Sequence, residues 1–203
     1  MTVDNDDYAL WLSNTHKCSW YGVSCSDIGF VTELDLMSNN LVGTIPPEIY
    51  HLSSLKRLAL VENCLQSTLP YEMFQLTRLS DIDLSWNYLS DTVPDELYVL
   101  KSLAQLRLHG NQDEGNCNRG RTYIYVESQS LVGNILETNI DKLRNLKILE
   151  VYMNNFNGHL NRLETLAVNS NSFTGGLPEQ ISEMPNLKAL WLGNNNITGQ
   201  IPT

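Results

Sequence analysis

The stretch LDLMSNNLVGTIP, residues 34–46, decides the fold of this 203-residue chain, because close versions of it recur along the sequence. Apolar residues alternate in the triplet 34–36, which is typical of a short β-strand with one buried side. Asn39 follows the triplet, and Gly43 and Pro46 follow Asn39. A strand, a polar turn and a second bend in one short unit indicate a repeated supersecondary structure.

Seven such units follow one another, and the first four begin 24 residues apart. Their opening residues are Val31, Leu55, Leu79, Leu103, Leu146, Leu163 and Leu187. Every unit keeps one asparagine at the turn after the strand, namely Asn39, Asn63, Asn87, Asn111, Asn154, Asn171 and Asn195. A buried amide there can bond backbone groups that the bend leaves unpaired. The sequence therefore predicts a ladder of asparagines along a stack of repeats.

Glycine recurs two residues after the next apolar position, at Gly43, Gly133, Gly158, Gly175 and Gly199. Ser67 and Asp91 replace it in the second and third units. The recurrence indicates a second bend or a close approach between turns. Glycine is favoured there but is not required.

One unit alone cannot bury enough apolar surface to offset the conformational entropy of ordering it. We therefore predict one α/β-type repeat solenoid over residues 31–203, with short parallel strands on a concave face and irregular or 3-10 segments on a convex face. Two departures interrupt the period: an insertion near residues 112–130 and a shortened repeat at 146–162. The chain stops in mid-repeat, so we expect the natural protein to continue.

The composition disfavours several classes of protein. Apolar residues make up 42% and charged residues 18%, which is a globular balance. The net charge of −10 argues against a nucleic-acid partner, because such a partner needs a basic face. The sequence contains neither an apolar run long enough to span a membrane nor a signal peptide. Any membrane attachment is therefore expected only through segments absent from this chain.

Two motifs carry a resemblance to a known family. The segment CSWYGVSC at 18–25 precedes the repeats, and LVGTIP at 41–46 returns as ITGQIP at 197–202. Together they resemble the plant-type leucine-rich repeat of receptor-like kinase ectodomains, receptor-like proteins and polygalacturonase inhibitors. The resemblance implies a leucine-rich-repeat superhelix, a cap over residues 1–30 and an extracellular or cell-surface location.

Four cysteines occur in the chain. The resemblance implies a structural disulfide between Cys18 and Cys25; half of a metal site is the alternative, although no second Cys or His pair stands at ligand spacing. Cys64 follows an asparagine of the ladder and is expected to be a small, semi-buried residue. A bridge from Cys64 to Cys117, in the insertion, is conceivable if the two Cα atoms come within about 7 Å.

The variable positions of the strands predict a ligand-binding concave face. Large aromatic side chains there have no role in the core, which singles out Trp86, Tyr152 and Trp191. Charged and polar neighbours on the same face are Asp83, Arg107, His109 and Glu150. Asp83 and Glu150 are expected about 10 Å apart, two strand spacings. Scattered surface aromatics and solvated charges are the alternative interpretation.

The expected function is a binding module, the recognition region of a receptor or receptor-like protein. Its ligand would be a protein, peptide or glycan, possibly with a co-receptor. A secreted inhibitor of an extracellular hydrolase is the alternative. No catalytic motif is present, so we expect no enzyme activity, cofactor or metal. The sequon Asn196-Ile197-Thr198 makes Asn196 a candidate glycosylation site. The insertion is either a ligand-contacting loop or an unselected segment.

Overall fold

A computed structural model describes most of the repeat array. The described residues are 16–111, 131–133, 143, 145–152, 154–156, 165–177, 181 and 186–202. Cys117 and most of the insertion near 112–130 lie outside them, as do residues 157–162 of the shortened repeat.

An eight-stranded sheet runs along the chain and takes one strand from the segment before the repeats and one from each repeat. Its strands, in spatial order, are β1 (Val23–Cys25), β2 (Val31–Asp35), β4 (Arg57–Ala59), β6 (Asp81–Asp83), β9 (Gln105–Arg107), β11 (Ile148–Glu150), β13 (Thr165–Ala167) and β15 (Ala189–Trp191). All neighbours are parallel except β1 and β2, which are antiparallel. The predicted concave sheet of a solenoid is thus present.

Short strands after each asparagine form three smaller parallel sheets. They contain β3 (Val42–Gly43), β5 (Cys64–Ser67) and β7 (Tyr88–Leu89); β8 (Asp91–Thr92), β10 (Leu131–Gly133) and β12 (Asn155–Phe156); and β14 (Thr174–Gly175) with β16 (Asn196–Ile197). Strand β10 pairs with both β8 and β12. The stack therefore continues on both sides of the insertion.

The shortened repeat still contributes a strand in register. Leu149 of β11 pairs with Leu106 on one side and with Leu166 on the other. The offset from Leu149 to Leu166 is 17 residues, whereas Leu58 and Ile82 pair at the usual 24. The repeat has shortened without disturbing the sheet register.

The convex side carries 3-10 turns where the sequence has proline. Three of them, Pro47–His51, Tyr71–Gln75 and Asp95–Val99, begin directly after Pro46, Pro70 and Pro94; a fourth, Lys17–Ser19, lies in the cap. The proline ring fixes φ and forces the extended entry from which the turn starts. Within the described residues, no helix is long and apolar enough to cross a membrane.

The core lies between the large sheet and these turns. The central residues of neighbouring strands are buried and in register, at Leu58, Ile82, Leu106, Leu149 and Leu166. Burying each such side chain contributes about 1.5–3 kcal/mol. This apolar row forms one side of a core that continues through the stacked repeats.

The asparagine ladder has the predicted geometry. The Asn87 side chain is 2% exposed; its Nδ2 donates to the carbonyl oxygens of Leu60 (2.9 Å), Leu84 and Ser85, and its Oδ1 accepts from the Leu65 amide at 3.0 Å. Asn63, Asn111 and Asn195 bridge adjacent repeats in the same way. Each of these four asparagines thus pairs backbone groups of its own repeat and of the preceding one.

Two columns of residues adopt the left-handed backbone conformation. The first is the predicted glycine column, where Gly43 has φ 92°, and Ser67 and Asp91 keep φ at 79° and 66°. The second immediately precedes the asparagine and was not predicted; its members are Ser38, Glu62, Trp86, Gly110, Ser170 and Asn194. Non-glycine residues rarely adopt this conformation, so the packing of the stack imposes it.

The segment before the first repeat contains a disulfide and joins the repeat by strand pairing. Cys18 and Cys25 are bonded, with their Cα atoms 5.6 Å apart, and Cys25 ends β1 beside β2. Cys64 is also disulfide-bonded and buried. The expectation of a merely packed, unpaired cysteine at position 64 is therefore wrong. Cys117 lies outside the described residues.

Replacing both Cys18 and Cys25 by serine should lower the free energy of unfolding by about 2–3 kcal/mol, because the unfolded chain regains the entropy of a short closed loop. Urea unfolding of variant and parent measures the difference, and mass spectrometry of a non-reduced digest verifies the pairing in the parent. The double variant is preferable to a reducing agent, which would also reduce the disulfide of Cys64. Free thiols at both positions in the parent would contradict the prediction.

Candidate ligand-binding face

The parallel register aligns the outward-pointing residues of the large sheet in columns. One column contains Asp35, Ala59, Asp83, Arg107, Glu150, Ala167 and Trp191. Asp83 and Glu150 therefore flank Arg107 on neighbouring strands, as the sequence predicts. Strands of a sheet lie about 4.8 Å apart, so these three charged groups can interact directly.

An ion-pair chain crosses five strands of this face. Arg57 contacts Asp35 at 2.7 Å and Asp81 at 3.8 Å, while Arg107 contacts Asp81 at 3.5 Å and Glu150 at 3.3 Å. Each half-exposed pair contributes little to stability, on the order of 0–1 kcal/mol. The chain instead holds the long arginine side chains in defined positions across the face.

Arg107 is less available to a partner than the sequence suggests. Besides its contacts with Asp81 and Glu150, its Nη2 donates to Gln105 Oε1 at 2.7 Å. The alternation of the strands also places Gln105 and Asp81 on this face, and no role was predicted for them. They act as positioning residues that orient the guanidinium.

Trp86, His109 and Tyr152 form an aromatic cluster on three successive repeats. The rings of His109 and Tyr152 stack, with centroids 4.2 Å apart and planes at 12°. The ring of Trp86 lies edge-on to the ring of His109, with the two ring centroids 5.9 Å apart and the planes at 89°. Both geometries are favourable for aromatic rings. Two of the three predicted aromatic anchors thus belong to one contiguous surface.

Gly110 makes room for the Trp86 ring. A Cβ atom at position 110 would lie 2.7 Å from Cε3 of Trp86, closer than real carbon atoms approach. Trp86 itself has φ 54°, and Gly110 has φ 67°. The alternation of the strand places Gly110 at a variable outward position, and no role was predicted for it. The signal available was a glycine outside the periodic glycine column.

Three expectations about exposure need correction. The alternation of the strands places His109, Ser85 and Gly110 at outward positions, but His109 and Ser85 are only 7% and 1% exposed, and Gly110 is also buried. The ring of His109 contacts the stacked ring of Tyr152 and the edge-on ring of Trp86, which contribute to its burial. Trp191 is 53% exposed, yet it lies two strands beyond Glu150 and does not join the aromatic cluster.

Burial dominates the electrostatics around the aromatic cluster. It lowers the pKa of His109 to about 4, with help from the positive charge of Arg107 and against the opposing effects of Asp83 and Glu150. Burial likewise raises the pKa of Asp81, although Arg107 and Arg57 oppose it. The pKa of Tyr152 is raised by burial and then by Glu150 and Asp83. At neutral pH His109 is therefore an uncharged ring beside two carboxylates.

Two polar groups of this region, the imidazole of His109 and the carboxylate of Asp83, can form further hydrogen bonds or ion pairs. His109 Nδ1 is buried without a hydrogen-bond partner, and Glu150 Oε2, at 3.7 Å, is too distant to accept from it. Asp83 Oδ1 accepts from the amide and hydroxyl of Ser85, but the carboxylate forms no ion pair within the described part of the chain. Among the described residues, no group of three acidic, histidine or cysteine side chains could hold a metal ion.

Comparison with known proteins agrees with this geometry. Residues 31–89 match the family profile described as "Leucine rich repeat", and residues 186–203 match a second "Leucine Rich Repeat" profile. The matched segments of the chain are leucine-rich repeats. A curated relative is "Receptor-like protein 39" of Arabidopsis thaliana, 34% identical over 111 residues, 48% of this chain. This leucine-rich-repeat chain spans only 13% of the length of that relative.

Two solved structures share the solenoid. The ectodomain of the Arabidopsis receptor kinase HAESA, in complex with an IDA peptide hormone, has a TM-score of 0.80 and 28% identity. The match covers 99% of this leucine-rich-repeat chain and 32% of that one. The Arabidopsis GASSHO1/SCHENGEN3 ectodomain, in complex with CASPARIAN STRIP INTEGRITY FACTOR 2, has a TM-score of 0.68 and 28% identity, covering 99% of this chain and 29% of that one.

Proposed function

We propose that this leucine-rich-repeat chain is the ligand-recognition region of an extracellular or cell-surface receptor-like protein, and that it binds a polypeptide on its concave face. The observation that carries the proposal is the cluster of Trp86, His109 and Tyr152 beside Asp83 and Arg107. Aromatic side chains held on rigid strands offer contact area with little entropy lost on binding. No core requirement explains Trp86, because it occupies a backbone position that disfavours bulky residues.

The relatives support a polypeptide ligand over the alternatives. HAESA and GASSHO1/SCHENGEN3 are both described with a bound peptide hormone or protein factor. Receptor-like protein 39 is a receptor protein by name. These matches favour a receptor region over a secreted inhibitor of a hydrolase, and a peptide over a glycan. A co-receptor would contact the complex at a separate surface.

Passage through the secretory pathway is part of the proposal. Disulfides persist in oxidising compartments, and both Cys18 and Cys64 are disulfide-bonded. Asn196, in the proposed glycosylation site, is exposed at the start of β16. We also propose that residues 1–30 serve as the cap of the repeat array at 31–203. Any kinase or membrane anchor would lie in other segments.

Replacing Trp86 or Tyr152 by alanine should weaken binding of a selected peptide by about 2 kcal/mol or more, because buried aromatic anchors dominate interface energies. The probe is a peptide selected on the folded chain from a random linear-peptide display library, and fluorescence anisotropy gives its affinity. Glu48→Ala is the control, because Glu48 is exposed in the convex 3-10 turn. The proposal fails if Glu48→Ala abolishes binding while both aromatic variants retain full affinity and a parental melting curve.

A further inference from the structure

We propose that the concave face contains a subsite for a cationic side chain, in which Asp83 pairs with a lysine or arginine of the peptide ligand and the aromatic cluster forms the adjoining wall. The inference rests on the proposed function, since it specifies what a peptide bound on this face must carry. It deepens that function by assigning a charge and a position to one ligand residue.

Asp83 is a carboxylate on this face that forms no ion pair within the described part of the chain. It lies opposite Arg107 in the strand register, and this neighbour is the obvious partner. Arg107 instead directs Nη1 to Asp81, Nε to Glu150 and Nη2 to Gln105. The guanidinium therefore already has three acceptors, and Asp83 is not one of them.

The carboxylate of Asp83 is fixed but not saturated. Its Oδ1 accepts from the Ser85 amide at 3.1 Å and from the Ser85 hydroxyl. Within the described part of the chain, Oδ2 receives no hydrogen bond from the protein. Ser85 is 1% exposed and thus cannot swing away. The second oxygen is presented in a constant direction, which suits a single ligand donor.

The local charge favours a cation. Around Arg107 stand three carboxylates, those of Asp81, Asp83 and Glu150, so this part of the face carries an excess of two negative charges. The negative charge of Asp83 acts to raise the pKa of both His109 and Tyr152, against the larger lowering by burial at His109 and together with burial at Tyr152. His109 is neutral at pH 7 and does not repel an incoming cation.

The aromatic cluster supplies the second half of the recognition. A lysine ammonium or arginine guanidinium is attracted to the faces of Trp and Tyr rings. Its aliphatic stem can pack on the same rings while its charged end reaches Asp83. His109 adds an independent observation: its side chain is 9% exposed, and its Nδ1 lies 3.7 Å from Glu150 Oε2 without a hydrogen-bond partner. Buried polar atoms are rarely left unpaired.

Peptide selection on the complete chain tests the subsite. A random linear-peptide display library is panned on the parent, on Asp83→Asn and on Glu33→Gln. Glu33 is the matched control, because it is an exposed carboxylate on strand β2 of the same sheet, away from the aromatic cluster. We expect peptides selected on the parent and on Glu33→Gln to share one lysine or arginine, and peptides selected on Asp83→Asn to lack it.

A double-mutant cycle on one selected peptide makes the test quantitative. Changing its shared cation to glutamine should weaken binding to the parent about tenfold or more, as expected for a directly paired charge. The same change should alter binding to Asp83→Asn by less than about twofold. A lysine-to-arginine exchange in the peptide then tells which cation the subsite prefers. The peptide change is measured on the unaltered protein, so a folding defect in a variant cannot obscure it.

The outcomes separate this inference from the proposed function. Peptides that bind the concave face without a shared cation, or a cation effect that persists in Asp83→Asn, overturn the subsite and leave the recognition function standing. If changing the peptide cation to glutamine has as little effect on binding to Glu33→Gln as on binding to Asp83→Asn, the attraction is a general charge effect, and the subsite is also overturned. If no peptide is selected on the parent, the proposed peptide-binding function fails together with the subsite.

Discussion

Replacing Asn87 by leucine is expected to lower the free energy of unfolding by about 3–5 kcal/mol. Leucine has nearly the same size, so packing changes little, but the buried Leu65 amide loses its partner. The carbonyls of Leu60, Leu84 and Ser85 each lose one of two hydrogen bonds. The unpaired amide costs about 1–3 kcal/mol, and each lost hydrogen bond contributes about 0.5–1.5 kcal/mol. Urea denaturation followed by circular dichroism measures the loss, and hydrogen exchange should show the opening at residues 57–67.

Asn39→Leu is the matched control for this prediction. Asn39 begins the ladder, is only partly buried, and its Nδ2 donates to the Met37 carbonyl at 3.1 Å within its own turn. It bridges no preceding repeat, so its replacement should cost about 1 kcal/mol or less. Equal losses for Asn39→Leu and Asn87→Leu would show that the ladder does not hold adjacent repeats together. In that case the asparagines act only within their own turns.

The repeated features of the fold were predictable from the sequence because one physical requirement recurs in every turn. A leucine in the middle of each strand must face the core, as Leu58 and Leu106 do. A polar residue that can both donate and accept must close each bend, as Asn87 does. Because these requirements recur in every repeat, the residues that meet them recur with a 24-residue period. The period can be found in the sequence without any knowledge of contacts.

The binding face was only partly predictable, because it depends on contacts between repeats. The alignment of Asp83, Arg107 and Glu150 follows directly from the register. The contacts of Arg107 with Asp81 and Gln105 do not follow from the register, because they depend on the rotamer of the arginine side chain. A pattern of alternating positions can assign an orientation to a residue but cannot predict which neighbours it pairs with.

His109 and Trp86 illustrate the same limit. Both occupy outward positions, yet the imidazole of His109 is buried beside the stacked ring of Tyr152 and the edge-on ring of Trp86. The left-handed conformation of Trp86 could not be read from the sequence, because Ser38 and Glu62 share it without any common chemistry. The conformation belongs to the turn of the repeat, and any side chain placed there must accept it.

The buried imidazole should make the stability of the protein depend on pH, with a loss of about 3 kcal/mol as the pH falls from 7 to 4. Burial lowers the pKa of His109 to about 4 in the folded state, whereas an unfolded histidine titrates near 6.5. Between these values the unfolded chain binds a proton that the folded chain does not, so stability rises with pH. The contribution is complete above about pH 6.5, and each pKa unit corresponds to about 1.4 kcal/mol.

The variant His109→Gln isolates this term from the carboxylates that titrate in the same range. Asp81, Asp83 and Glu150 remain in the variant, so the difference between its pH profile and that of the parent belongs to position 109. Urea unfolding between pH 4 and pH 7 should give a parent profile steeper by about 3 kcal/mol over the whole range. His51→Gln is the control, because His51 is exposed in the 3-10 turn Pro47–His51. Identical profiles for the parent and His109→Gln would mean that the imidazole protonates in place, where Glu150 Oε2 lies 3.7 Å from Nδ1 and could stabilise the charge.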